Sequence, residues 1–429
     1  MITLDQARRL TDAQPVRSAS SATRPAAGMA PSRTASRGAT QILEFFLFLA
    51  ILISGFVFIE PSPYEFAMAP LAFGCLIAGA RIRRELLPMI WLLLLWNVGG
   101  AIAYFRVSDK ELTDKFVMIT LLMAVSAIIF AIIFSSDSLQ RLRILRAAYI
   151  IAALLAATAG IIGYFRLTAG LGDLFAPTGR ASGTFKDPNV YGPFLILPIL
   201  FLLQSLLSHR VRIFTTATFL VIAFGFFLSF SRGAWIHFVL SGVIMLGLMI
   251  VTAENHRTRI RLILLGAVSV GLLAMAIAAA LSFDAVADMF EQRAQVVQSY
   301  DVGSGGRFTM QILALTEILN HPFGMGPFAF SDVHGIQQHN VYLQAFLVYG
   351  WIGGLAYVAL IVLTLIVGLS AALKRTPWQP YLIAIYATFV GEVGEGIVID
   401  TDHWRHFFLL LGVIWGLVAA SRDFERRLA

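Results

Sequence analysis

Cysteine is almost missing from this chain of 429 residues: the one present, Cys75, stands in an apolar run. A single thiol excludes an intrachain disulfide and any cysteine-based metal cluster. Charge is scarce too, at 13% of residues, about half of what soluble domains carry. Internal repeats and a stretch long and polar enough for a soluble domain are also lacking. What fills the chain is hydrophobic residue, 58% of the total. That composition is expected of an all-α polytopic membrane protein, where the helix satisfies the backbone amides that lipid cannot. The net charge of +7 would suit nucleic acid. The basic residues, however, fall in short clusters between apolar runs, as membrane topology demands. Membrane lipids are therefore expected as neighbours, and nucleic acid is not.

Spanning a bilayer takes roughly 20 apolar residues, with ~17–25 tolerated. Twelve runs are candidates: Phe45–Ile59, Phe66–Ala80, Leu86–Phe105, Phe116–Phe134, Ala147–Phe165, Val190–Leu207, Ile213–Phe230, Gly233–Thr252, Leu262–Phe283, Val341–Leu369, Tyr381–Ile399 and Phe407–Ala420. Only Ser231-Arg232 separates the seventh from the eighth. With the N-terminus placed in the cytoplasm, roughly two thirds of the 32 lysines and arginines lie inside, in a basic cluster at every inner segment. Fusing the seventh and eighth runs would turn every later cluster outward, so they are kept apart. The expected organisation is a disordered cytoplasmic tail at 1–40, spans one to nine over 41–283, a helical periplasmic loop domain at 284–340, spans ten to twelve over 341–421, and a short tail at 422–429. The Ser, Ala, Pro and Arg of the first segment cannot build a core. Within the loop domain, Val286, Met289, Phe290, Val296, Val297 and Tyr300 recur at helical spacing. They fit equally a helix lying in the outer interface and a packed loop helix.

The stretch around which the chain is organised runs from Gly303 to Gly353. A Gly/Ser run precedes Arg307. An amphipathic segment follows, with Phe308, Ile312, Leu315 and Leu319 at helical spacing. Pro322, Gly324, Gly326 and Pro327 then break regular structure, and His339-Asn340 opens a long apolar run. An imidazole titrates near neutrality and serves as a general base; a lone histidine at a membrane boundary more often only hydrogen-bonds. Arginines at span ends usually snorkel to headgroups, yet several gathered at one face suit a diphosphate, which guanidinium groups grip bidentately. The topology puts Arg180, Lys186, Arg232, Arg307, His339, Asp400, Asp402, His403 and Arg405 on the outer face. Asp400-Thr401-Asp402 has the form of a metal-binding tripeptide, but with His403 and Arg405 beside it a local ion-pair network is the better reading. Glu392 and Glu395, in a span interrupted by Gly391, Gly394 and Gly396, either pair with a neighbouring arginine or line a cavity.

His339-Asn340, nine residues, Gly350, two residues, Gly353: this pattern resembles that of the O-antigen ligase and Wzy-type polymerase superfamily, which moves lipid-linked glycans. Phe230-Ser231-Arg232-Gly233-Ala234-Trp235 is similar to the family's S-R-G segment. Gly183-Thr184-Phe185-Lys186-Asp187-Pro188-Asn189-Val190-Tyr191-Gly192 is similar to its stretch opening a span, and Arg307 to its outer-loop arginine. The resemblance covers about residues 160–370. It implies about twelve transmembrane helices in the architecture of C-type lipid-sugar glycosyltransferases, and transfer from an undecaprenyl diphosphate-linked glycan to an acceptor glycan, either lipid A core or a growing polysaccharide. It implies His339 as base and Arg232, Arg307, Arg180 and Lys186 on the diphosphate, with Asn340, Gly350, Gly353 and Asn189 supporting the motifs. Neither a metal nor another cofactor is implied. The setting is the bacterial inner membrane with the site facing the periplasm. A transporter or flippase is the competing class, since twelve spans and intramembrane acids fit that too. A membrane hydrolase releasing glycan to water is a third.

Overall fold

The computed structural model describes residues 37–59, 61–107, 110–168, 170–208, 212–294 and 306–429. Most of the expected tail, and Val296, Val297 and Tyr300, lie outside these. The fold is all-helical: α1 (Arg37–Ile53), α2 (Pro63–Ile77), α3 (Leu87–Tyr104), α4 (Lys110–Phe134), α5 (Ser138–Tyr164), α6 (Leu171–Phe175), α7 (Pro188–Ser208), α8 (Ile213–Phe227), α9 (Arg232–Thr252), α10 (His256–Ala280), α11 (Asp284–Ala294), α12 (Arg307–Asn320), α13 (Ala329–His334), α14 (Val341–Ala372), α15 (Gln379–Glu395) and α16 (Arg405–Leu428). Among the described residues the sole β feature is an isolated bridge, Val57 with Phe185.

Each of the twelve apolar runs coincides with one of these helices. Eight are long and apolar enough to cross a membrane by length and composition alone. The others, α1, α2, α8 and α15, have 15 to 17 residues. The break between α8 and α9 falls at the expected place: Phe230 takes a left-handed conformation, φ 45, and the Ser231 hydroxyl caps the new helix by accepting from the Ala234 amide.

Aromatic packing holds the centre together. The Trp96 ring of α3 lies 5.0 Å from Tyr349 and 5.5 Å from Tyr357 of α14, and stacks at 5.7 Å on Phe408 of α16. Such pairs contribute about 0.5–1.5 kcal/mol beyond burial. Ion pairs mark the two ends of the bundle. At one end Arg83 meets Asp423 at 3.4 Å, Lys374 meets Glu425 at 2.7 Å, Arg375 meets Glu254 at 4.0 Å, and Arg426 pairs with Glu85. At the other, Arg405 pairs with Glu65.

α14 is not continuous. Gly350 breaks it with φ 65 and ψ −173. In an unbroken helix the Trp351 amide would donate to the Leu347 carbonyl. Here Trp351 donates to Pro322 O at 2.9 Å, and Leu347 O accepts from the Met325 amide at 2.6 Å. The loop ahead of the motif thus inserts into the break and satisfies both freed groups. A side chain at 350 would begin 2.6 Å from the Phe323 carbonyl carbon and 2.8 Å from Pro322 O, so both φ and space require glycine. Gly350→Ala should lower stability by about 1–3 kcal/mol, the cost of a strained backbone residue, read as a lower thermal midpoint of the detergent-purified protein. An unchanged midpoint would refute the inserted-loop account.

Candidate functional site

His339 stands where the loop re-enters the bundle. Its φ is 49, a left-handed conformation in which histidine is several-fold enriched among non-glycine residues. Asn340 follows as the N-cap of α14. Its side-chain oxygen accepts from the Tyr342 and Leu343 amides, and its amide nitrogen donates to Ile397 O at 3.0 Å. A cap of this kind contributes about 1 kcal/mol. The His339 side chain is 43% exposed, and its Nδ1 lies 3.6 Å from Asp400 Oδ2. That is ion-pair distance, longer than a hydrogen bond. The buried Gln338 steadies the carboxylate by donating to Asp400 Oδ1 at 3.4 Å and to Gln344 Oε1 at 2.7 Å. Nδ1 therefore faces the carboxylate, and Nε2, across the ring, is turned away from it.

Arg307 is the first residue of α12. One turn later Gln311 donates to Ile397 O at 3.2 Å and reaches His339 O at 3.5 Å. Arg232 is likewise the first residue of α9. A side chain at Gly233 would begin 2.7 Å from Glu395 Oε1, so the close approach of α15 excludes any larger residue there. Beyond Glu395, Gly396 O accepts from the Val341 amide at 2.9 Å. Residues 395–400 therefore form a seam touched by Gly233, Gln311, Asn340, Val341 and His339. The starts of α9, α12 and α14 are gathered along it, each helix placing about half a positive charge there.

Arg180 lies one layer back. It is buried; Nε donates to Ser229 O at 2.8 Å and one terminal nitrogen to Asn189 Oδ1 at 2.8 Å. It ties the Gly183–Gly192 stretch to the Ser231-Arg232-Gly233 turn. Lys186 is exposed on the turn before α7. Gly353 packs against α3: a side chain at Gly99 would begin 2.7 Å from its amide nitrogen.

Two expectations need correction. Glu392 and Glu395 face histidines, not arginine. His406 Nε2 lies 3.1 Å from Glu392 Oε1, and His237 Nδ1 lies 2.8 Å from Glu395 Oε2. His237 Nε2 is 3.0 Å from Thr388 O, which only accepts, so Nε2 carries a hydrogen. The bond to Glu395 then holds one proton between two groups that would otherwise oppose lone pairs. Second, Asp400, His403 and Arg405 form no local network. Arg405 reaches to Glu65, Asp400 faces His339, and His403 Nε2 meets Thr120 Oγ1 at 2.9 Å. The helix at 284, read equally as interfacial or packed, does pack on the bundle: Val286 is buried, and the Phe290 ring stacks 5.6 Å from Trp235. Sequence reasoning missed Asp400 as the partner of His339, and Gln311 and Gln338 as its supports. The D-x-D form drew attention toward metal, yet among the described residues no group of three or more His, Cys, Asp and Glu side chains has metal-holding geometry.

The bundle is that of an integral membrane protein, with Arg232 and Arg307 at helix starts and His339 just ahead of one, along a single seam. Residues 217–358 match the family model Wzy_C, described as O-antigen ligase. This third of the chain contains Arg232, Arg307, His339, Gly350 and Gly353, and over it the resemblance to the O-antigen ligase and Wzy-type superfamily holds. The match supports a membrane enzyme of the glycosyltransferase type, working in polysaccharide biosynthesis on lipid-linked and acceptor glycans. A search of curated proteins gives no match.

Behind the site, Asp402 is buried, with the Tyr349 hydroxyl donating to Oδ2 at 3.4 Å. Burial, reinforced by the neighbouring Asp400, pushes its carboxyl from 3.8 up to about 7. Burial, followed by Arg405, pulls His403 down to about 3. A raised folded-state value means that the stabilisation from Asp402 is complete below the unfolded value and is lost as pH rises. The thermal midpoint of Asp402→Asn minus that of wild type should therefore rise from pH 3.8 to about 7, as wild type alone loses stability, and then level off. His403 acts in the opposite sense, losing stability as pH falls below 6.5, and cancels in that difference. A gap constant across pH would refute the assignment.

Proposed function

We propose that the protein transfers a glycan from a polyprenyl diphosphate, undecaprenyl in bacteria, to an acceptor hydroxyl at the periplasmic face of the inner membrane. The acceptor oxygen attacks the anomeric carbon. Its proton passes to Nε2 of His339, the new glycosidic bond forms, and the bond to the diphosphate oxygen breaks with its electron pair. Asp400 orients the imidazole and stabilises the imidazolium as it forms. Arg232 and Arg307 hold the diphosphate and stabilise the charge it gains on leaving. Arg180 keeps the Arg232 turn in place, and Lys186 adds positive charge at the edge. One displacement inverts the anomeric carbon, and no step requires a metal. The acceptor is lipid A core for a ligase and another lipid-linked repeat for a polymerase.

The observation that carries this reading is the meeting of His339 Nδ1 with Asp400 Oδ2 at 3.6 Å, on the same seam where the helices of Arg232 and Arg307 begin. Helix N-termini favour phosphate oxygens. A transporter would use Glu392 and Glu395 as an open relay, whereas Glu395 is closed by its hydrogen bond to His237 and Glu392 is buried beside His406.

Purified protein given lipid-linked donor and acceptor should release free polyprenyl diphosphate. His339→Ala should lower kcat by about 10²–10⁴-fold, the range for a general base. Asp400→Asn should lower kcat with KM little changed, and Arg232→Ala should raise KM for the donor as well. Full turnover by His339→Ala would end the base assignment. Activity lost to a chelator and restored by Mg²⁺ or Mn²⁺ would end the metal-free mechanism.

A further inference from the structure

The apolar stripe of α12 faces outward. Phe308, Ile312, Leu315 and Leu319 are 50%, 68%, 54% and 69% exposed. The face that packs is a different one: Met310, Ala314 and Ile318 lie against Leu347 and Phe330, with Leu343 and Phe346 alongside. At 3.6 residues per turn the exposed apolar side chains occupy one arc of about 60°, next to the packed face. Thr309, Thr316 and Asn320 lie on the arc beyond. The helix thus has a packed face, an unpartnered apolar face and a polar face, in that order around its axis.

Two helices fix the depth of α12. Arg375 meets Glu254 at 4.0 Å, so the far ends of α14 and α9 lie level. From Arg232 to Thr252, α9 rises about 31 Å at 1.5 Å per residue. From Trp351 to Ala372, the second part of α14 rises about 33 Å. Each alone crosses a hydrocarbon core of about 30 Å. Trp351 is therefore at the outer boundary. So is Val341, which bonds to Gly396 beside the start of α9. Both ends of segment 341–350 lie at one depth, so the segment runs along the membrane surface after the bend at Gly350. α12 runs beside it, tied by Gln311 to His339 O at one end and by Ile318 O, which accepts from Trp351 Nε1 at 2.9 Å, at the other. At that second end Arg106 stands 5.8 Å over the exposed Phe323 ring, an arginine–aromatic pair of the sort found at headgroup level.

From these positions we infer that α12 lies in the plane of the outer membrane surface with Phe308, Ile312, Leu315 and Leu319 immersed in lipid acyl chains. Its occupant is bilayer lipid. Trp351 Nε1 bonds Ile318 O beside the stripe, and Trp351, Ile352 and Leu355 of α14 are exposed in turn, while the polar arc about 90° round the helix suits headgroups and water. Immersion would fix Arg307, at the start of α12, at phosphate height.

The test places spin labels on single cysteines, with buried Cys75 replaced by alanine, in the full-length protein in nanodiscs of phosphatidylethanolamine and phosphatidylglycerol. Ile312→Cys, Leu315→Cys and Leu319→Cys labels should relax with oxygen and be shielded from a water-soluble nickel complex. Their depth should be about 5–10 Å below the phosphates, as for interfacial helices. Thr316→Cys and Asn320→Cys labels should show the reverse. Three stripe positions keep the test intact if one variant does not fold. Nickel access at the stripe equal to that at Thr316 would overturn the proposal. Shielding of the stripe from both reagents would overturn it too, because protein would then be the occupant.

Discussion

A helix broken where it is buried in protein leaves an amide and a carbonyl that water cannot reach, at a cost of several kcal/mol each. α14 contains such a break at Gly350, and the loop 322–325 answers it by exchanging hydrogen bonds with Trp351 and Leu347. Much of the site depends on that exchange. The bend sends the first part of α14 along the surface, so that His339 and Asn340 arrive beside the start of α9. The inserted loop also fixes the end of α12, whose beginning carries Arg307. The glycine and the histidine of one motif are thus parts of a single device: the first sets the direction of the segment that delivers the second.

The same constraint governs the acids inside the bundle. Glu392 and Glu395 lie on one face of α15, and the bilayer interior penalises an unpaired charge. Each is faced by a histidine from another helix, and Glu395 shares a hydrogen bond with His237, so that pair can hold one proton and no net charge. That neutrality lets α15 bring Glu395 up against Gly233 at the start of α9 without placing a free anion beside Arg232. The two turns that deliver Arg232 and His339 share a construction. A left-handed residue, Phe230 or His339, precedes a capping side chain, Ser231 or Asn340.

Twelve helices and the break after Phe230 were legible because hydropathy and basic clusters report the bilayer directly. The motif residues were legible as positions: Arg232, Arg307 and His339 each stand at or just before the start of a helix. What sequence did not supply was pairing across distance. His339 finds Asp400 and Arg405 finds Glu65 because helices far apart in the chain end at the same level, and no local spacing encodes that. The α12 stripe was legible only in part. Periodicity says that Phe308, Ile312, Leu315 and Leu319 share a face, but in a membrane protein an apolar face has two possible neighbours, protein and lipid. Met310, Ala314 and Ile318 took the protein side.

Asp400 and Asp402 show how two like residues in one tripeptide acquire different work. Residues two apart on an extended strand would share a face, but the turn that the Trp404 amide closes on Thr401 O takes Asp402 out of line with Asp400. Asp400 turns to the half-exposed ring of His339. Asp402 turns inward to Tyr349, where burial raises its carboxyl to about 7. On the proposed reading, a site for a diphosphate gains from that division. One carboxylate beside His339 would stabilise an imidazolium, whereas a second full negative charge at the same place would oppose a donor held by Arg232 and Arg307. The burial of Asp402 holds that second charge back near neutral pH, and so the tripeptide contributes one acid to the chemistry and one to the packing behind it.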